Sequence, residues 1–121
     1  MQLKHIQEMQ QSFDKSHQMK LEFYEKIDEK NLPALEHLVV CLLGELGEFS
    51  NLLKKVVRGD YELKEVKPLL DEELVDVFIF LIKIANQFDV DLENGYLNKL
   101  EKINLNLKRA LNKTLFNYFF D

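Results

Sequence analysis

The stretch from Leu38 to Val57 reads LVVCLLGELGEFSNLLKKVV. Its apolar side chains recur every three or four residues, which is the spacing of a helix that buries one face. Glu45 occupies a position of this face that the pattern reserves for an apolar residue, and Glu48 follows one turn later on the same side. The stretch therefore predicts a helix that carries two carboxylates toward a neighbouring element.

Breaks in the apolar pattern predict three further helices around this one. Pro33 favours the first turn of the central helix, because its fixed φ suits that turn and its missing N–H is not needed there. Gly59 is a typical stop signal just past its last periodic residue, and Asp91 can cap a later helix. The predicted helices span residues 3 to about 27, 33 to 57, 68 to 88 and 92 to about 112, with a charged connector at 59–67.

The composition agrees with a small helical domain. The chain has 121 residues, of which 46% are hydrophobic, and it contains only four Gly and two Pro. So few turn-forming residues disfavour a sandwich or barrel of many short strands. We expect one all-α domain over 1–121, an antiparallel bundle of four main helices. Its motif-bearing core covers about 33–110, and an aromatic tail follows at 113–121.

Charge and apolar runs exclude several classes of partner. Lys and Arg total 16 against 21 Asp and Glu, a net charge of −5, so no broad basic face is available for a nucleic-acid polymer or an anionic membrane. No apolar run approaches the length of a membrane span, and the N-terminus lacks the apolar core of a secretory signal. The single cysteine, Cys41, lies in an apolar run and suits a reducing compartment. We expect a cytoplasmic protein.

A second pair of acids, Glu73 and Asp76, lies on the apolar side of the third predicted helix. Carboxylates on two core-facing helices repel one another and lose hydration unless something positive joins them. A cluster that offers only hard oxygen ligands favours Mg²⁺ or Mn²⁺ over Zn²⁺, and Mg²⁺ often completes its shell with substrate phosphates. The alternative is a helical interaction module without metal, in which the acids meet lysines of a neighbouring helix.

Three motifs, at 43–49, 71–81 and 102–109, resemble a known family in order and spacing. They read LGELGEF, DEELVDVFIFL and KINLNLKR, with 24 residues between Glu48 and Glu73. The first two resemble the paired E-x-x-E and E-x-x-D motifs of the MazG-like, all-α nucleoside triphosphate pyrophosphohydrolases, which include dCTP pyrophosphatases. The third is similar to the closing K-x-x-x-N segment of that family and the basic residues after it.

The resemblance implies hydrolysis of a nucleoside triphosphate, such as a deoxynucleotide or a modified nucleotide, to the monophosphate and pyrophosphate. It implies a homodimer or homotetramer, and a catalytic centre whose carboxylates hold Mg²⁺: Glu45, Glu48, Glu73 and Asp76. Lys102 and Asn106 would contact phosphate or sugar, and the basic residues Lys108 and Arg109 are candidates for phosphate contact. A related activity on another nucleotide, such as phosphoribosyl-ATP, fits the same motifs.

The base site departs from the family pattern. Relatives often carry a Trp in or just after the first helix, and this chain has no Trp. Phe13 and His17, or else Phe23 or Tyr24, are the candidates for stacking on the base.

Overall fold

The computed structural model describes residues 1–17 and 23–120. Within these ranges it contains four helices and no strand, so the predicted all-α fold is confirmed. The helices are α1 Leu3–Ser16, α2 Leu32–Arg58, α3 Leu63–Gln87 and α4 Leu92–Phe120. The main packing contacts are those of α2 with α3, α1 with α3, and α1 with α4. No helix in the described ranges is both long enough and apolar enough to cross a membrane.

The turn between α2 and α3 follows the predicted stop signal. Gly59 adopts a left-handed φ of 93°, and its N–H donates to the carbonyl of Val56 at 3.0 Å. The N–H of Asp60 then reaches back to the carbonyl of Lys55 at 2.9 Å. These bonds satisfy carbonyls that the last helical turn leaves free, and glycine takes this φ without strain. The chain therefore reverses here and lays α3 along α2.

The predicted start of α3 at Pro68 was wrong. The helix begins at Leu63 after an extended Glu62, so Pro68 lies inside it. Proline removes one helical hydrogen bond at that point, the bond to the carbonyl of Lys64. Val66 and Leu70 are buried at 6% and 4% exposure, and their packing offsets that loss.

The predicted continuation of the first helix to about residue 27 was also wrong. α1 ends at Ser16, whose hydroxyl donates to the carbonyl of Phe13 at 2.9 Å. After the gap in the described ranges, which contains the predicted helical residue Leu21, the chain is not helical from 23 to 31. There the N–H of Ile27 donates to the carbonyl of Gln87 at 2.7 Å. A tertiary hydrogen bond to the end of α3 thus replaces the helical one.

The start of α4 confirms the predicted cap, and its end corrects the predicted tail. The N–H of Asn94 donates to Oδ1 of Asp91 at 3.0 Å, and hydrogen bonds from Asn94 lower the pKa of Asp91. The helix does not stop near Asn112 but continues to Phe120, so residues 113–120 belong to it. Asp121 and the side chains of Phe119 and Phe120 lie outside the described part.

The apolar core of the single chain is small. Its buried apolar side chains in the described ranges are Ile27, Val66, Leu70, Ile82 and Ala85. Many other large apolar side chains stay exposed, for example Val40 at 60% on α2 and Leu107 at 64% on α4. Where such exposed side chains form a contiguous patch, they usually mark a contact with another molecule.

A buried ion pair ties α1 to α3. The side chain of Asp14 is fully buried, and its Oδ1 lies 3.2 Å from Nζ of Lys83, whose side chain is 14% exposed. Gln10 donates to the same oxygen from Nε2 at 3.0 Å. Removing either charge would leave the other buried without a partner, which is strongly destabilising.

Candidate metal centre

Three carboxylates converge where α2 faces α3. Glu45 comes from α2, while Glu73 and Asp76 stand three residues apart on one face of α3. One oxygen from each lies within 4.8 Å of the others, and all three residues are half-buried. The structure therefore brings together three of the four acids that the two sequence motifs single out.

Glu73 is the most perturbed member of this cluster. Burial of its carboxyl, followed by hydrogen bonds with Glu48 and Glu45 and by their negative charge, raises the pKa of Glu73 to about 7. Its Oε2 is buried and accepts no hydrogen bond in the described part of the chain. A buried acceptor without a donor is rare, so this oxygen needs a proton or a cation.

The basic side chains that the structure describes form no ion pair with the cluster. Among the described residues, no lysine or arginine forms an ion pair with Glu45, Glu73 or Asp76. The arrangement in which these acids meet lysines of a neighbouring helix is therefore not the one observed. Converging carboxylate oxygens and an orphaned acceptor fit a hard divalent cation such as Mg²⁺.

Glu48 lies at the edge of this centre. Its side chain is exposed, and it is not part of the converging trio, but its carboxylate helps to raise the pKa of Glu73. It is thus the member of the predicted quartet with the most access to solvent.

The substrate contacts predicted on α4 are not assembled within one chain. Lys102, Asn106, Lys108 and Arg109 are all exposed. α4 packs on α1 through its first turn, where the N–H of Leu92 donates to the Oε1 of Gln7 at 3.1 Å. In the described ranges, no hydrogen bond or ion pair connects these four side chains with the acidic cluster.

Two of the four predicted stacking candidates, Phe13 and His17, lie at the end of α1, whereas Phe23 and Tyr24 lie in the non-helical segment after residues 18–22. The rings of Phe13 and His17 stack with their centroids 4.1 Å apart, and both side chains are exposed. Ring atom Nδ1 of His17 lies 2.8 Å from the carbonyl of Phe13, which fixes the pair against the end of the helix.

The acidic face of α3 continues beyond the cluster. Phe80 and Lys83 follow Asp76 at helical spacing on the same face. Nζ of Lys83 lies 5.9 Å from the ring centroid of Phe80 and 5.2 Å from that of Phe23. Sequence reasoning missed Lys83, although its register with Glu73 and Asp76 was a signal that could have found it.

The raised pKa of Glu73 predicts a specific pH dependence. Its carboxyl titrates near pH 7 in the native state and near its ordinary value of 4.5 in the unfolded chain. Between these values the native state holds a proton that the unfolded state lacks, so the stability of the metal-free protein should fall as the pH rises from about 4.5 to about 7. Thermal unfolding across this range measures the effect.

Two controls make this test sharp. Glu73→Gln should remove the part of the fall that comes from this carboxyl, because glutamine does not titrate. Added Mg²⁺ should raise the Tm more at the upper end of the range, where it no longer competes with a proton. Identical pH profiles for the wild type and Glu73→Gln would contradict the assignment.

Two known proteins are similar in sequence to this chain. No protein-family model and no solved structure matches the chain. It is 31% identical over 84 residues to human dCTP pyrophosphatase 1, a match that covers 66% of this chain and 49% of that enzyme. It is 32% identical over 78 residues to the Gene 37 protein of Mycobacterium phage L5, which covers 63% of this chain and 68% of the phage protein. The chain therefore belongs to the same protein family as this phage protein.

Proposed function

We propose that the protein is a Mg²⁺-dependent nucleoside triphosphate pyrophosphohydrolase of the MazG-like, all-α type. The observation that carries this proposal is the convergence of Glu45, Glu73 and Asp76 around a buried oxygen without a donor. The similarity to human dCTP pyrophosphatase 1 supports the same chemistry, and about half of that enzyme's length is matched.

The proposed reaction is attack by water on the α-phosphorus of the substrate. The bond from this phosphorus to the oxygen that bridges it to the β-phosphorus breaks, and its electron pair leaves with pyrophosphate. Mg²⁺ held by Glu45, Glu73 and Asp76 would polarise phosphoryl oxygens and lower the pKa of a bound water. Glu48, exposed at the edge of the cluster, would accept the proton of the attacking water.

A substrate panel tests this activity. Each deoxynucleoside and ribonucleoside triphosphate, together with phosphoribosyl-ATP, is incubated with the protein and Mg²⁺, and pyrophosphate is measured. We expect release from at least one of them, dependent on the metal. If no substrate releases pyrophosphate and Mg²⁺ leaves the Tm unchanged, the protein is a helical interaction module instead, because a ligand at about 100 times its Kd stabilises a protein by about 2.7 kcal/mol.

We also propose that the protein assembles through α4 as a homodimer or homotetramer. An apolar strip runs along this helix at a spacing of three or four residues, and its first four members line an open pocket together with Glu101 and Asn104. Its members are Leu97, Leu100, Ile103, Leu107 and Leu111, with exposures of 43% to 64%. A second copy offers the same strip, and two-fold symmetry lets like surfaces pair.

The opposite face of α4 carries two of the predicted substrate contacts. Helical geometry places Lys102 and Asn106 away from the apolar strip. If these residues bind substrate, they meet the acidic cluster of another subunit, because their own chain does not bring them to it.

Charged substitutions in the strip test this assembly. Ile103→Asp combined with Leu107→Asp should dissociate the oligomer, because a carboxylate in an apolar contact loses its hydration without gaining a partner. Sedimentation velocity measures the change. Leu105→Asp is the matched control, since it introduces the same charge on another side of α4 and should leave the assembly intact. A wild-type chain that sediments as a monomer at tens of micromolar would contradict the proposal.

A further inference from the structure

The face of α3 that carries the acidic cluster ends in a polar pair. Phe80 lies about one turn beyond Asp76, and Lys83 about one turn beyond Phe80. At 1.5 Å per residue, Lys83 stands about 10 Å from Asp76 along the helix axis. There it meets Asp14 of α1, so one continuous face joins the cluster to the ion pair.

The hydrogen bonding of this pair is incomplete. Asp14 is fully buried, yet its Oδ2 accepts no hydrogen bond in the described ranges. Lys83 has three N–H donors, and among the described residues its ammonium forms an ion pair with Oδ1 of Asp14 at 3.2 Å. Oδ2 of Asp14 therefore lacks a donor although the ammonium of Lys83 lies beside the same carboxylate. Buried polar groups normally have hydrogen-bond partners.

Two aromatic rings lie close to the ammonium of Lys83. The ammonium of Lys83 lies within 6 Å of the ring centroids of Phe23 and Phe80. Phe23 is positioned by Gln87, whose Nε2 donates to the carbonyl of Phe23 at 3.2 Å. A planar heterocycle with a donor and an acceptor on one edge is the ligand chemistry that suits rings beside a carboxylate and an ammonium.

We infer that Asp14 and Lys83 recognise the base edge of the nucleotide, an inference that rests on the proposed function. Lys83 donates to a carbonyl oxygen or ring nitrogen of the base, and Oδ2 of Asp14 accepts from the neighbouring amino or ring N–H. The ring of Phe23 is 41% exposed, and it must turn outward for a base to reach the buried pair. The phosphates then lie at the acidic cluster, and the sugar lies between the cluster and the Asp14–Lys83 pair.

A purely structural ion pair makes a different prediction. Buried ion pairs can often be replaced by apolar residues of similar shape without loss of stability. The double variant Asp14→Leu with Lys83→Met is such a replacement, so it should fold. If the pair serves only the fold, base selectivity stays as it was. If the pair reads the base, the variant loses selectivity.

The test compares kcat/KM for the four deoxynucleoside triphosphates. We expect the ratio between the best and the worst base to fall by about tenfold or more in the double variant, while the Tm shift on adding Mg²⁺ stays unchanged. Lys67→Met is the matched control, because it removes an exposed, acid-paired lysine from the same helix and should leave the ratio unchanged. Lys83→Arg, which keeps a positive charge beside Asp14 but presents a different donor geometry to the base, is the second variant if the double variant does not fold.

Two outcomes overturn the inference. One is a wild-type protein that turns over all four bases equally, and the other is a folded variant that keeps the wild-type ratio. The absence of pyrophosphate release from every nucleotide is a separate result, which removes the proposed function together with the inference that rests on it.

Discussion

Asp76→Asn is expected to lower kcat for pyrophosphate release by more than about 10²-fold. Asp76 supplies one of three converging oxygens, and replacing it with an amide removes a negative ligand from the candidate metal site. Loss of an outer partner alone commonly reduces metal affinity or activity by about 10- to 100-fold, so loss of a direct ligand should exceed that. The apo protein should be equally stable or slightly more stable, because one like charge is gone.

The control for this experiment is a substitution of an acid that lies on α3 but outside the cluster. Asp71→Asn provides it, because Asp71 is 59% exposed and pairs with Lys67 on the helix surface. This control should keep near wild-type turnover. The metal assignment fails if Asp76→Asn releases pyrophosphate at the wild-type rate while Mg²⁺ still raises its Tm.

Lys83→Met should destabilise the fold by about 3–5 kcal/mol. The substitution leaves Asp14, which is fully buried, without its counter-charge, and an uncompensated buried charge has a cost of this size. The midpoint of urea unfolding measures the effect. The loss of stability should be far larger than the loss caused by Lys67→Met, which removes an exposed ion pair that contributes about 0–1 kcal/mol.

Replacing both partners should reverse this loss. In the variant with Asp14→Leu and Lys83→Met, no charge remains buried, and the free energy of unfolding should return to about the wild-type value or above. A Lys83→Met chain that unfolds at the wild-type urea concentration would show that Asp14 gains another partner or access to water.

The features that sequence predicted best depend on local pattern. The seam of α2 and the E-x-x-D spacing of α3 were enough to single out Glu45, Glu73 and Asp76, because helical periodicity alone puts each acid on an inward face. The turn at Gly59 and the cap at Asp91 were likewise predictable, since both act through residues within one turn of them.

The features that sequence reasoning missed depend on partners distant in the chain. α1 was predicted to continue through residues whose backbone instead bonds to Gln87, and periodicity carries no information about such a contact. Pro68 looked like a helix start because the burial of Val66 and Leu70, which offsets its missing hydrogen bond, is a tertiary effect. The Asp14–Lys83 pair joins two helices in the same way.

If the protein assembles through α4 as proposed, the outer turns of this helix link folding to assembly. Beyond its contacts with α1, this helix has few neighbours of its own chain to hold it, and an isolated helical segment is marginal in water. The helicity of α4 should therefore depend on protein concentration, because association stabilises the helix. Dilution should fray α4 while the hairpin of α2 and α3 stays ordered. Backbone amide exchange along residues 97–118 should slow as the protein concentration rises, whereas exchange near Ile82 should not change.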